Sequence, residues 1–412
     1  MFKYSLISLV HLTLLAGSFI WLVLYREPWH LQLVLTGTSP FTGAALSPDG
    51  SLIAGHDTKG YVWLWNRSDG TLHWKSTELI PNIHAPLFNV DGSKLLIREA
   101  SAQILDTRTK EIIRLKDNDP IRRAQFSLDG KLIAIVSDQF HGVLLDAHSG
   151  HVLKDFKDKN IETVMFTKTA LLIGGFDKTI SAYNWKQDRI ECDLIAGKSF
   201  GLWFGDLTPD ERYFVAGYEN EGFRVWNLSS GTIESEKLDA NIEGVLWMKF
   251  TQNLDHIVSC HLGKAGAAKI WNWRTGNTVH SLSGRTSSQV AISPMRDKIL
   301  LDENADQAVL WNTLTGTKAF MFPNRLREIA EQNWSSDGNY LILGVPNRPN
   351  CIGLWHRRFP ECWWGHIYRP ELWLSFLLGT LWLIRVIAWI RKQRSSSKIE
   401  DSGKIRGRER SY

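Results

Sequence analysis

The sequence feature that most constrains the fold is a unit that recurs down the chain. Its clearest copy, residues 44–66, holds two short apolar runs joined by Ser-Pro-Asp-Gly at 47–50, then a polar turn, then the alternating run 61–65. Pro presets the first corner of a turn, Asp bonds the local backbone and Gly adopts positive φ, so 47–50 predicts a hairpin turn. Each copy therefore predicts three short β-strands in a row.

Turns that align with 47–50 recur down the chain at nearly constant spacing. They begin at residues 89, 127, 167, 208, 251, 293 and 335, so successive copies start 38 to 43 residues apart. This period, with enough β pattern for four strands in each copy, is typical of propeller blades rather than of helical repeats. The last copy supplies only three strands, and the apolar run 31–36 precedes the first copy. We therefore predict an all-β, eight-bladed β-propeller over 29–358, in which 31–36 is the outer strand of blade eight and closes the ring.

These units resemble those of WD40-repeat proteins over about residues 31–356. Ser-Pro-Asp-Gly stands between the first two strands, and the Trp-Asp pair of that family is replaced by Trp-Asn at 65–66, 226–227, 271–272 and 311–312. The Gly-His pair that the family places before the first strand is missing from every unit. We therefore expect the His-Asp-Ser-Trp hydrogen-bond network of such blades to be mostly absent, and packed apolar faces to stabilise them instead.

Apolar segments flank the repeats on both sides. Residues 5–25 carry no formal charge and can cross about 30 Å of hydrocarbon as a helix, so 1–28 is predicted to be a transmembrane anchor, with a secretory signal peptide as the alternative. Residues 359–392 have Trp near both ends and Lys or Arg beyond, which is typical of a second span, with an interfacial amphipathic helix as the alternative. The polar tail 393–412 is predicted to be disordered.

The charge distribution predicts sidedness. Residues 391–412 hold eight basic and three acidic side chains, which accounts for the whole net charge of +5. The repeats are therefore neutral overall, and this disfavours nucleic-acid binding. A basic cluster beside a span stays in the cytoplasm, and two spans place both termini on one side. We expect an integral membrane protein with cytoplasmic termini and an extracytoplasmic propeller, in a periplasm or a lumen.

Sequence motifs that could form a catalytic or metal site do not lie in the structural context that such sites need. The G-x-S-x-G pattern at 197–201 joins two strands, whereas a nucleophile elbow needs a strand that leads into a helix. His256, Cys260 and His261 cluster on and after a strand, yet no tetrahedral ligand set can be assembled from them. The segment 66–74 is similar to the Trp-docking repeats of quinoprotein dehydrogenases, but other units lack the closing Trp. We expect no enzyme activity, cofactor, metal or small-molecule substrate, and keep the quinoprotein-like enzyme as an alternative.

The remaining prediction is a protein-protein interaction scaffold. Its platform is the face opposite the membrane segments, which we call the top face, and the loops between second and third strands form part of it. The candidate interaction residues there are His56, Phe140, His141, Tyr218, Glu219, His261 and Arg348. Aromatic and Arg side chains are good interface anchors. An assembly or quality-control factor for other envelope proteins is the alternative.

Overall fold

The computed structural model describes most of the repeat region and neither flank. The described ranges are 29–79, 85–98, 102–115, 120–157, 159–175, 179–195, 202–218, 222–238, 245–261, 268–284, 290–303, 307–323 and 331–357. The predicted membrane segments 1–28 and 359–392, and the tail 393–412, lie outside them. Among the described residues, no helix has the length and apolarity needed to cross a bilayer.

The described residues form eight antiparallel sheets, and these are the blades of a β-propeller. Seven sheets hold four consecutive strands in sequence order. Blades 1 and 2 contain β2 (Phe41–Leu46), β3 (Leu52–Asp57), β4 (Val62–Asn66), β5 (Leu72–Lys75), and β6 (Leu87–Phe88), β7 (Lys94–Ile97), β8 (Gln103–Asp106), β9 (Ile112–Arg114). Blades 3 and 4 contain β10 (Ile121–Phe126), β11 (Leu132–Ser137), β12 (Gly142–Asp146), β13 (Val152–Asp155), and β14 (Ile161–Phe166), β15 (Leu171–Gly175), β16 (Thr179–Asn184), β17 (Arg189–Ile195).

The second half of the ring repeats the pattern. Blades 5 and 6 contain β18 (Leu202–Leu207), β19 (Tyr213–Tyr218), β20 (Gly222–Asn227), β21 (Thr232–Leu238), and β22 (Val245–Phe250), β23 (His256–His261), β24 (Ala268–Asn272), β25 (Asn277–Leu282). Blade 7 contains β26 (Ala291–Ile292), β27 (Lys298–Asp302), β28 (Ala308–Asn312) and β29 (Lys318–Phe322). Blade 8 pairs β30 (Tyr340–Val345), β31 (Arg348–Arg357) and β1 (Trp29–Thr36), with a short 3-10 turn, Glu331–Asn333, before β30.

The predicted hairpin turns form by local hydrogen bonding. In blade 1 the Ser47 hydroxyl donates to Asp49 Oδ1 at 2.5 Å and accepts from the Leu52 backbone N–H at 2.9 Å, while Gly50 takes a φ of +71°. Ser127 and Ser335 make the same pair of bonds in blades 3 and 8. A Ser with an Asp two residues later therefore stabilises the turn through hydrogen bonds within the same hairpin.

The hydrophobic core lies between blades. Each of eight buried clusters joins two consecutive blades, as in the cluster that packs Leu64 of blade 1 with Phe88 of blade 2. The last cluster joins Ile342 and Ile352 of blade 8 to Ile53 of blade 1, and so completes the ring. Since each sheet has two apolar faces, each blade is stable only between two neighbours.

Strand β1 closes the ring, as predicted, but blade 8 has three strands and not four, because the first strand of the last copy is reduced to a single bridge between Trp334 and Leu341. Strand β1 pairs antiparallel with β31, from Trp29 opposite Arg357 to Thr36 opposite Cys351, and begins two residues before the predicted 31–36. The chain enters β1 and leaves β31 side by side. This corner belongs to the face that carries the turns from first to second and from third to fourth strands, such as 47–50 and 66–71, which we call the bottom face.

Candidate functional site

The structure places six of the seven predicted interaction residues at or beside the top ends of strands. Phe140 and His141 form the turn between β11 and β12, and Arg348 is an exposed residue at the start of β31. His56 and His261 lie at the ends of second strands. Tyr218 ends β19, where its backbone pairs with Gly222, and Glu219 lies outside the described residues. The interaction role of all seven stays a prediction.

Phe140 has the most constrained geometry of these six residues. It adopts a φ of +61°, which an aromatic residue rarely takes, and its carbonyl accepts from the Ile161 N–H of blade 4 at 2.8 Å. The Arg122 guanidinium lies 4.8 Å from the centre of the Phe140 ring, and an Arg122 nitrogen is 3.7 Å from Glu162 Oε1. Glu162 is only 2% exposed, so this carboxylate helps to hold the guanidinium against the ring. We call Arg122, Phe140 and Glu162 the blade 3–4 cluster.

His141 sits beside this cluster and is paired. Its Nε2 lies 2.7 Å from Asp155 Oδ1 across blade 3, and both side chains are partly exposed. The hydrogen bond from His141, with a smaller contribution from Lys157, holds the pKa of Asp155 below its usual value. Asp155 is therefore ionised at neutral pH and accepts the bond.

His56 is buried rather than presented at the surface. It is 4% exposed, and its Nδ1 lies 2.8 Å from the Thr42 hydroxyl on the inner strand. The neighbouring Asp57 is fully buried, accepts from Trp63 Nε1 at 3.0 Å and caps the following turn through the N–H groups of Lys59 and Tyr61. Thr58 and Lys59 at the tip are the exposed side chains of this turn. A partner that reaches blade 1 here would meet these two side chains, with His56 and Asp57 positioning the loop.

His261 belongs to an internal network of blade 6. Its Nε2 lies 2.6 Å from the Ser259 hydroxyl, which accepts from Trp271 Nε1 at 2.7 Å. Blade 6 thus keeps a Trp-Ser-His network although the Gly-His pair is missing, because His261 is supplied by the second strand. This single network of three side chains, which contains no Asp, is compatible with the expectation that the four-residue networks of such blades are mostly absent. A Ser two residues before a His, opposite a Trp-Asn strand, is the sequence signal that could have identified it.

The described residues contain no group of three or more His, Cys, Asp or Glu side chains suited to a metal ion. His256 and Cys260 lie at opposite ends of β23, and His261 is engaged as described. Burial raises the pKa of the Cys260 thiol far above its usual value, so it is not a thiolate nucleophile at neutral pH. The segment 197–201 lies outside the described residues.

A cavity that sequence reasoning missed opens between blades 2 and 3. Its volume is about 810 Å³, and its lining is mostly apolar, with Leu115, Ile121, Ile135, Val143 and Leu153 among the side chains. The outer strand of blade 2, β9, which leads to this cavity through Arg114 and Leu115, has only three residues. His141 also lines this cavity, so it adjoins the blade 3–4 cluster. This volume lies in the usual range of ligand pockets, so the cavity can also admit apolar side chains of a partner.

Comparison with known proteins supports the fold and little beyond it. No protein-family model matches the chain. Over 139 residues it is 25% identical to a WD repeat-containing protein 55 homolog of Dictyostelium discoideum, and the match spans 32% of this chain and about a third, 33%, of that protein. The whole activity of that relative is therefore not carried over.

Two solved structures are similar over the whole propeller. The C-terminal WD40 domain of Sif2 superposes with a TM-score of 0.66 at 13% identity, covering 81% of this chain and 99% of that domain. The computationally designed Ika8 protein superposes with a TM-score of 0.62 at 17% identity, covering 79% of this chain and all of that one. The eight blades, the Trp-Asn strands and these similarities confirm the resemblance to WD40-repeat proteins, as an eight-bladed propeller of that fold.

Proposed function

We propose that the protein is a non-enzymatic, membrane-tethered propeller whose top face binds protein partners. The observation that carries the proposal is the blade 3–4 cluster, in which a partly exposed aromatic ring is held in a strained backbone conformation and stacked by an Arg. A pre-positioned aromatic and Arg pair loses little side-chain entropy on binding, and these residue types dominate the binding energy of protein interfaces. The adjoining cavity between blades 2 and 3 offers room for an apolar side chain of the same partner.

The tethering part of the proposal depends on the two flanking sequences. Residues 5–25 and 359–392 have the composition of membrane spans. Strands β1 and β31 begin and end side by side at Trp29 and Arg357, so both sequences continue from one corner of the bottom face. This arrangement supports a propeller held by two anchors, with its top face directed away from the bilayer.

Capture of partners from detergent extracts of native membranes tests the binding role. The variant Phe140→Gly removes the ring and also relieves the positive φ, so it deletes the anchor without straining the turn. Lys110→Gly is the matched control, because Lys110 also has positive φ, at 69°, in a turn on the bottom face. We expect a discrete partner that is lost from Phe140→Gly and retained by Lys110→Gly. An unchanged partner list for both variants contradicts the assignment.

Protease accessibility tests the orientation. If the propeller is extracytoplasmic, added protease digests it in intact spheroplasts or sealed right-side-out vesicles, while an epitope at the basic tail is protected until the membrane is opened. Protection of the propeller under the same conditions contradicts the proposed orientation.

A further inference from the structure

We infer that the bottom face of the propeller docks on a lipid surface through a set of exposed apolar side chains, in addition to the two tethers. The set has two parts, one at the tips of the bottom turns and one at the bottom ends of the outer strands. This inference rests on the tethering proposed above, since the anchors bring the bottom face to the bilayer.

The first part consists of turn tips. The bottom turns carry large apolar side chains at positions where a polar residue would serve the turn equally well. They are between 38% and 63% exposed: Val90, Leu128, Leu254, Met295 and Leu314. None of these side chains belongs to the buried core clusters, and a large part of each apolar surface faces solvent. They are available for an external apolar phase.

The second part is a band on the outer strands. In blades 1 to 5 the same register position, just after the turn from third to fourth strand, holds an exposed aliphatic residue. These residues are Leu72, Ile112, Val152, Ile190 and Ile233, which pair with Trp65, Leu105, Leu145, Tyr183 and Trp226 and are 42% to 53% exposed. The position lies at the bottom edge of each blade, so the band continues the apolar turn tips around the rim.

The concentration at one end of the propeller separates this set from ordinary surface residues. Single exposed aliphatic residues are normal on any protein. Here, among the described residues, ten of the fourteen large exposed hydrophobic side chains belong to the bottom turns or to the bottom ends of outer strands. A scattered distribution would place them on the outer strands and both faces without preference.

A bilayer is the occupant that fits the surroundings. Both ends of the propeller, Trp29 and Arg357, lie at this face, and each is continuous with a sequence predicted to enter the membrane. The carboxylates beside the tips are occupied by their own turns, since Asp91 accepts from the Ser93 N–H at 2.9 Å and Asp129 from the Ser127 hydroxyl at 2.6 Å. Hydrogen bonds from the side chain and the N–H of Ser93 lower the pKa of Asp91, and the Ser127 hydroxyl lowers the pKa of Asp129, so both carboxylates are ionised and give no attraction to anionic lipid. Docking therefore depends on apolar contacts. These contacts are weak, and tethering compensates by raising the effective concentration of the bottom face at the bilayer.

Depth-dependent quenching in proteoliposomes tests the inference on the full chain. One cysteine for a fluorescent label is placed at Leu128 or Met295 on the bottom face, or at Lys59 on the top face. Cys192 and Cys362 are replaced by Ser, and Cys260 and Cys351 are kept because they are buried. We expect lipids that carry a quencher near the headgroup to quench both bottom labels more strongly than the Lys59 label. Leu314→Asp is expected to reduce the quenching at Met295, and the fraction of anionic lipid is expected to have little effect.

The outcomes separate the two proposals. If the protein does not remain with the vesicles after carbonate washing, the tethering itself fails. If it remains but bottom and top labels are quenched equally, the tethering stands and the docking inference is overturned. Quenching that grows steeply with anionic lipid also overturns it, because that behaviour belongs to a basic surface. Bottom labels that are shielded from aqueous quencher without being reached by the lipid quencher show a protein on this face instead, and again refute lipid docking.

Discussion

Because β1 closes the ring, we expect the propeller to open most easily at this strand. Two matched Leu→Ala substitutions, one in β1 and one in β17, test this expectation. Leu35 on β1 is 2% exposed and packs with its register partner Ile352 in the core between blades 8 and 1. Leu194 on β17 is 1% exposed and faces Ile180 in the same way within blade 4. Both are buried leucines on an outermost strand, opposite an isoleucine of the third strand. The two substitutions therefore remove the same apolar group from equivalent places.

We expect Leu35→Ala and Leu194→Ala to lose similar packing energy, but to affect hydrogen exchange differently. Truncating a buried Leu to Ala costs about 2–5 kcal/mol, from lost transfer energy and the residual cavity. Strand β1 is connected to the rest of the propeller through only one of its ends and can detach from β31 without unfolding other blades, whereas β17 is held in the chain at both ends. In Leu35→Ala the lost packing energy lowers the free energy needed for this local opening of β1. At 1.4 kcal/mol per tenfold, amide exchange in 29–36 is expected to rise by about 30-fold to several thousand-fold.

Hydrogen exchange read by mass spectrometry checks this prediction. Peptides that cover 29–36 and the facing part of β31 should exchange much faster in Leu35→Ala, while peptides of blades 3 to 6 keep their protection. In Leu194→Ala the amides of β1 should keep wild-type rates. Similar rates for β1 in both variants, or faster exchange spread over all blades in Leu35→Ala, would refute the reasoning that β1 opens as a separate unit.

Three further predictions concern buried polar groups. Ser259→Ala leaves Trp271 Nε1 without its buried acceptor, so the free energy of unfolding in urea should fall by about 1–3 kcal/mol, with an unchanged m-value. Asp206→Asn removes the negative charge that Arg296 contacts from two blades away. Because a partly buried cation then loses its counter-charge, the free energy of unfolding from thermal melts should fall by about 3–5 kcal/mol. Partial burial of the His356 ring lowers its pKa, so the unfolded chain binds more protons than the folded chain near the ordinary pKa of His. Stability should therefore fall as pH drops through and below about 6.5. His356→Gln should reduce this dependence in urea melts at a series of pH values.

The candidate site was predictable only in part. The turn at Phe140 and His141 could be located from the strand pattern, yet the stacking of Arg122 on the ring depends on Glu162 from the next blade. Burial of His56 could not be read from its neighbours, because its contact with Thr42 depends on how the inner strand packs. The cavity between blades 2 and 3 was also missed, since its lining combines side chains from both blades that are distant in sequence.

What the sequence determined by itself is the part of the fold that is local and periodic. Turn residues at constant spacing, each with its own hydrogen bonds, set the number of blades, and the strand left over at 31–36 required closure through blade 8. The tertiary structure alone decided which side chains remain at the surface and which meet across blades, such as Arg296 with Asp206. The physical reason is that a turn is stabilised within a few residues, whereas burial depends on contacts between distant parts of the chain.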